Sequence, residues 1–204
     1  MIKVDRLVNS IFNSNSYLLS RPDRDYAWII DPGDSAPLIN KLGTHNLKGI
    51  LLTHSHFDHI YGLNDLIKIF PDVSIYTNEC GRRGLECDKL NGSRYTDFPF
   101  IVKHENLATV GDGDKIDLWE DMTMQVWDTP GHNLDCLTFY TKGSVFTGDA
   151  LIPGIKVVAK GKFSDKQQVL ISIDKILQRT LPSDILYPGH NQCCPIKDCE
   201  IADL

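Results

Sequence analysis

Thr53-His54-Ser55-His56-Phe57-Asp58-His59 follows directly on the apolar run Gly49-Ile50-Leu51-Leu52. Three histidines and an aspartate thus occupy six positions, His54 to His59, at the end of a segment with the length of a buried strand. Along extended backbone, side chains two apart point the same way, so His54 and His56 can converge on one point. The chain then passes into an apolar stretch of helical spacing, Ile60, Leu63, Leu66, Ile67 and Phe70, closed by Pro71. Asp58 and His59 fall at that turn, where successive side chains diverge by about 100°, so they can serve a second point. A helix N-terminus there favours an ionised Asp58 and a neutral His59, the ligand forms of both. A single histidine is more often a hydrogen-bonded or surface residue than a ligand. Four such groups behind an apolar run would be costly to desolvate without a shared cation.

Three further stretches repeat the pattern of a strand ending in glycine and then histidine or aspartate. They are Asp128-Thr129-Pro130-Gly131-His132, Phe146-Thr147-Gly148-Asp149 and Tyr187-Pro188-Gly189-His190. Glycine at a strand end permits a sharp turn and delivers the next side chain into a cleft. Five of the seven histidines have such settings; His45 and His104 lie in polar segments and read as structural.

The rest of the chain supplies the frame. Ser16–Ser20 and Tyr26–Ile30 read as a hairpin across Arg21-Pro22-Asp23-Arg24-Asp25, and 35–42 as a short helix. Gly49–Thr53 and Val73–Thr77 read as strands, and Ile60–Phe70 as one helix. Residues 78–106 read as loop with a short helix. Asn91-Gly92-Ser93 and Gly111-Asp112-Gly113-Asp114 read as turns. Met122–Trp127 is a strand, and 136–141 with 144–147 form a hairpin around Lys142-Gly143. Asp165–Gln178 is a helix, and Asp184–Tyr187 a last strand. Hairpins in each half with interspersed helices imply mixed sheets with helices packed outside. No repeat or linker-like stretch is evident, so residues 1–204 read as one domain.

Composition bounds the function. The chain has 204 residues, 42% hydrophobic and 24% charged, with a net charge of −6. That is an ordinary globular balance. The acidic excess and the lack of a basic arm argue against a nucleic-acid partner, and no apolar run approaches the roughly 18 residues that span a bilayer. The N-terminus has no signal-peptide pattern, and the expectation is a cytoplasmic protein with a small-molecule substrate. The six cysteines, Cys80, Cys87, Cys136, Cys193, Cys194 and Cys199, form no C-x-x-C pair and are expected as thiols; their spacings match no zinc-site pattern.

Taken in order, His54-Ser55-His56-Phe57-Asp58-His59, Gly131-His132, Gly148-Asp149 and Pro188-Gly189-His190 resemble the metallo-β-lactamase superfamily. The resemblance runs from about Asp31 to His190, and Asp31-Pro32-Gly33 is similar to the family's first motif, an acid behind the metal ligands. It implies an α/β (α+β mixed) fold, a four-layer αβ/βα sandwich of two mixed sheets with external helices. It implies two metal ions, the first held by His54, His56 and His132, the second by Asp58, His59 and His190, with Asp149 bridging. Nitrogen and oxygen ligands suit zinc, and iron or manganese would also accept them. Two metals about 3.5–4 Å apart can turn a shared water into a hydroxide near neutral pH. Asp58 is then the candidate to orient that hydroxide or take its proton. Tyr61 reads as a packed core tyrosine, with an oxyanion donor as the alternative.

Histidine at position 59, where dizinc β-lactamases usually carry arginine or lysine, makes the chain resemble glyoxalase II, a hydroxyacylglutathione hydrolase. That enzyme's helical C-terminal domain has no counterpart in the 14 residues after His190. A thioester pocket would then come from elsewhere, with residues 78–106 and Arg82, Arg83 and Arg94 as candidates, or those arginines are solvated loop charges. Three readings follow: a dizinc hydrolase of a thioester, ester or lactone; a mononuclear iron oxygenase similar to persulfide dioxygenases; and a non-catalytic, metal-bound ligand-binding protein.

Overall fold

The expected hairpins are present in the computed structural model, which describes residues 2–202. The chain folds as two compact units, one ending at Thr109 and the other starting at Val110. Each is built on a six-stranded mixed sheet.

In the first unit, strands β1 (Lys3–Val8), β2 (Asn15–Ser20) and β3 (Tyr26–Ile30) run antiparallel. Strands β4 (Asn46–Leu51), β5 (Ser74–Thr77) and β6 (Leu107–Thr109) continue in parallel from β3. Parallel neighbours need crossovers, and all three here carry helix. Helix α1 (Ser35–Leu42) joins β3 to β4. The pair α2 (Phe57–Ile60) and α3 (Leu63–Ile69) joins β4 to β5. Leu38 and Leu42 of α1 and Leu63 and Leu66 of α3 pack with Leu18, Ile29, Ile50 and Ile75 of the sheet. Each such buried aliphatic side chain is worth about 1.5–3 kcal/mol.

The helix expected over Ile60–Phe70 starts later, at Leu63, and is preceded by the separate short helix α2. Periodicity finds the apolar face and not the break, which is tertiary in origin. Gly62 sits so close to the chain that a Cβ there would lie 2.1 Å from the Gly33 carbonyl oxygen. The break puts Asp58 and His59 inside the short α2. Residues 78–106 hold α4 (Glu79–Leu85), capped by the Asn78 side chain, and a 3-10 turn at Ser93–Tyr95.

In the second unit, β7 (Lys115–Trp119), β8 (Met122–Asp128), β9 (Leu137–Thr141) and β10 (Ser144–Gly148) form an antiparallel meander. Strand β11 (Ile185–Pro188) adds in parallel to β10, and the two-residue β12 (Cys194–Pro195) closes the far edge. The crossover to β11 is α5 (Lys166–Arg179). Asp165 caps it by accepting from the Gln167 and Gln168 amides. Val169, Ile173 and Ile176 of α5 pack with Trp127, Val145 and Leu186. None of the six cysteines is in a disulfide. Among the described residues, no helix is long and apolar enough to cross a membrane.

Candidate metal-binding clusters

In the first unit the His54–His59 segment leaves β4 and enters α2. His54 and His59 are fully buried and Asp58 nearly so. The His54 ring centroid is 4.8 Å from that of His56 and 4.3 Å from that of His59. Nε2 of His59 lies 3.4 Å from Asp58 Oδ2, and its Nδ1 lies 3.3 Å from Asp31 Oδ2. One side-chain atom from each of Asp31, His54 and His59 falls within a 4.8 Å group.

Hydrogen bonding decides which ring nitrogens face away from this cluster. The Asp31 carboxylate accepts from the Thr53 amide at 2.7 Å and from the Thr53 hydroxyl at 2.5 Å. That hydroxyl has a single proton, given to Asp31, so in its 3.1 Å contact with His54 Nδ1 the histidine is the donor. His54 therefore carries hydrogen on Nδ1 and keeps the Nε2 lone pair for a ligand, while His59 turns Nδ1 toward the Asp31 carboxylate. This is the arrangement of metal-binding histidines, which give their other N–H to an oxygen acceptor. Burial pushes the Asp31 carboxyl up, while His59 and the two Thr53 bonds pull against that; the net direction is upward. A nearby cation would drive it back down.

Asp31 itself has φ +50°, left-handed backbone that aspartate tolerates better than most residues. Ser16 Oγ holds the turn by donating to the Asp31 carbonyl at 2.5 Å and accepting from the Gly33 amide at 2.9 Å. Ser14 Oγ donates to the Asp58 carbonyl at 2.7 Å. Thr53, Ser14 and Ser16 carry no spacing signal in the sequence. Only their place beside Asp31 and Asp58 reveals them.

The second unit gathers its own group. Nε2 of His132 lies 3.6 Å from Asp149 Oδ2, and Nε2 of His190 lies 3.5 Å from the same oxygen. His132 Nδ1 donates to the Val158 carbonyl at 2.8 Å, which again leaves Nε2 as the lone-pair nitrogen. The glycines act as expected at two of the three strand ends. Gly131 has φ +137° and Gly148 φ +50°. Gly189 contributes differently, its amide donating to the Gly148 carbonyl at 2.8 Å and holding the two strand ends together.

Helix α5 fixes the loop that carries His132. A Cβ on Gly131 would lie 2.4 Å from the Val169 amide nitrogen. Ser172 Oγ donates to the Pro130 carbonyl at 2.6 Å, Lys175 Nζ to the Asp128 carbonyl at 2.8 Å, and the Asp165 amide to the Gly131 carbonyl at 2.8 Å.

The histidines read as structural behave so. His45 Nδ1 donates to the Leu42 carbonyl at 3.0 Å and His104 Nε2 to the Val73 carbonyl at 2.6 Å. Tyr61 corrects the sequence reading. It is half-buried rather than packed in the core, and its hydroxyl donates to Asp34 Oδ1 at 2.7 Å. Burial and the Asp34 carboxylate hold its pKa up at about 12. The arginines considered for a thioester pocket are all exposed. Arg94 pairs with Asp88 at 3.0 Å, and Arg82 and Arg83 are exposed on α4.

Comparison with known proteins agrees with this geometry. The sequence profile of the metallo-beta-lactamase superfamily matches residues 10–190. Hydroxyacylglutathione hydrolase of Tolumonas auensis is 31% identical over 182 residues, covering 86% of this chain and 61% of that protein. The same enzyme of Vibrio cholerae is 31% identical over 178 residues. The chain thus spans about three fifths of the length of the curated relatives it matches. Among solved structures, the B3 metallo-beta-lactamase BLEG-1 is 29% identical, with a TM-score of 0.85 over 96% of this chain and 95% of that one. TTHA1623, solved in a di-iron-bound form, has the same fold, with 23% identity and a TM-score of 0.81 over 96% of each chain.

Proposed function

Because the chain belongs to the metallo-beta-lactamase superfamily, we propose that it is a metal-dependent hydrolase of a thioester, ester or lactone, similar to glyoxalase II. The observation that carries this reading is the tautomer pattern. His54 and His132 each commit Nδ1 to an oxygen and keep Nε2, as metal-binding histidines do, and His59 turns Nδ1 toward the Asp31 carboxylate. The donor set fits a metal, combining imidazole nitrogens with the carboxylates of Asp58 and Asp149. Zinc suits such ligands, with iron or manganese as the alternatives.

In this reading residues 1–204 act as one functional domain with two metal ions. His54, His56 and His132 would hold the first and Asp58, His59 and His190 the second, with Asp149 as a further carboxylate ligand. The bound pair would supply a water that ionises near neutral pH and a Lewis acid for the substrate carbonyl. The chain's own residues do the rest. Thr53 and Asp31 keep His54 and His59 aimed, and the Val158 carbonyl does the same for His132. Asp58 would orient the attacking water and take its proton. No serine or cysteine nucleophile is required.

The test is metal analysis of protein purified without added metal, together with a panel of thioesters, esters, lactones and phosphodiesters. Two zinc ions per chain with turnover of a carbonyl substrate is the expected result. One iron per chain with oxygen consumption would replace the reading with an oxygenase. A full metal complement with no turnover would replace it with a ligand-binding protein.

A further inference from the structure

Beside the histidine cluster of the first unit lies a groove of about 550 Å3, lined among others by Phe12, Phe57, Tyr61, Asp97, Phe98 and Phe100. That size suits a small organic ligand. Its floor is continuous with the ligand-bearing segment, since Phe57 directly follows His56 and Tyr61 directly follows α2. No lysine or arginine lines it among the described residues, and its one charged group is the Asp97 carboxylate.

Both walls are held by hydrogen bonds within this unit. On one side the 9–14 loop closes through the Asn9 amide to the Ser14 carbonyl at 2.8 Å and the Ser14 amide to the Ile11 carbonyl at 3.1 Å. Asp34 anchors it, accepting from the Ser10 amide at 2.7 Å and from the Tyr61 hydroxyl at 2.7 Å. Phe12 sits at its tip with φ +52°, a left-handed conformation that is rare for a bulky residue. The residue is 69% exposed, and its ring meets Phe57 edge to face at 5.5 Å. On the other side the buried Asn91 accepts from the Phe57 amide at 2.8 Å through its carbonyl and donates to the Phe100 carbonyl at 3.1 Å through its side chain. Phe98 rises from that wall 83% exposed. Apolar rings held open to water on a fixed frame mark a binding surface.

We infer that this groove is the acyl subsite and that it selects an uncharged, apolar acyl group, aryl or medium-chain alkyl, on a thioester or ester. The inference rests on the hydrolase reading above and narrows its substrate class. Four phenylalanines reward apolar area, and a lone carboxylate with no cation disfavours an anionic substituent such as the glutathione peptide.

Metal-replete protein is assayed with N-acetylcysteamine thioesters from acetyl to octanoyl and with lactoylglutathione. It is also titrated with N-phenyl-1-naphthylamine, an uncharged fluorophore. Expected is a kcat/KM that climbs roughly fourfold per added methylene and exceeds that for lactoylglutathione. Phe98→Ala and Phe12→Ala, both at exposed positions, flatten the climb and weaken fluorophore binding about tenfold at unchanged metal content. Phe98→Leu restores most of both. Turnover independent of chain length, with fluorophore binding unaffected by either alanine variant, overturns the groove while leaving a hydrolase. No turnover of any thioester, with fluorophore binding that the alanine variants abolish, overturns the hydrolase while leaving an apolar ligand site.

Discussion

At the scale of single residues, Asp31 does two jobs with one carboxylate: it anchors Thr53 and faces His59. Asp31→Asn keeps a residue tolerant of left-handed backbone but removes the charge behind His59. A 10–100-fold loss of metal affinity is expected, read by competition with a chelating dye. Asp31→Ala also strands the Thr53 donors, and urea unfolding of the metal-free protein should show a loss of about 1–3 kcal/mol. If Asp31→Asn binds metal as the native protein does, the tautomer argument fails. His132→Ala should abolish turnover and lower metal content. Because the ring sits on a loop, the unfolding free energy of the metal-free form should move by less than about 1 kcal/mol. Activity surviving that change would remove His132 from the ligand set. The seven candidate ligands and Asp31 were legible because each follows an apolar strand, and a strand end is visible locally. Thr53, Ser14 and the groove phenylalanines were not. They belong together through tertiary proximity, and residues near positions 12, 57 and 98 share no period.

At the scale of elements, the break between α2 and α3 tests the packing account. Gly62 has φ −83° and ψ −8°, which any residue adopts, so Gly62→Ala carries no conformational penalty. The added methyl instead strikes the Gly33 carbonyl, and overpacking of this kind costs about 1–3 kcal/mol. A denaturant titration showing no shift in midpoint would mean the turn before α1 gives way freely. Helices α1 and α5 were readable to within a residue or so because their apolar faces are periodic and their ends are marked by glycine and aspartate. Strand β1 escaped notice because it is an edge strand whose residues are only partly buried. Strand β6 has three residues, too few to show alternation. The alternation of β7, with Ile116 and Leu118 inward and Lys115 and Asp117 outward, was present but stood beside a strong turn signal.

At the scale of the whole molecule, the imidazoles and carboxylates kept aside for a cation make stability depend on it. A ligand at 100 times its Kd adds about 2.7 kcal/mol to folding, which for a chain of this size is on the order of 5–10 °C in Tm. Exhaustive chelation should therefore lower Tm by that amount, and zinc should restore it in the native protein but not fully in His132→Ala. A Tm indifferent to chelation would mean that no resident ion contributes to folding. The clamp of α5 on the Asp128–His132 loop carries this dependence outward. Lys175, near the solvent side of that helix, reaches both Asp112 and the Asp128 carbonyl through one ammonium group. The exterior of the protein thus has leverage on where the His132 imidazole stands. In the proposed hydrolase, drift at a position that looks like ordinary surface charge would retune reactivity without touching any group that meets the substrate.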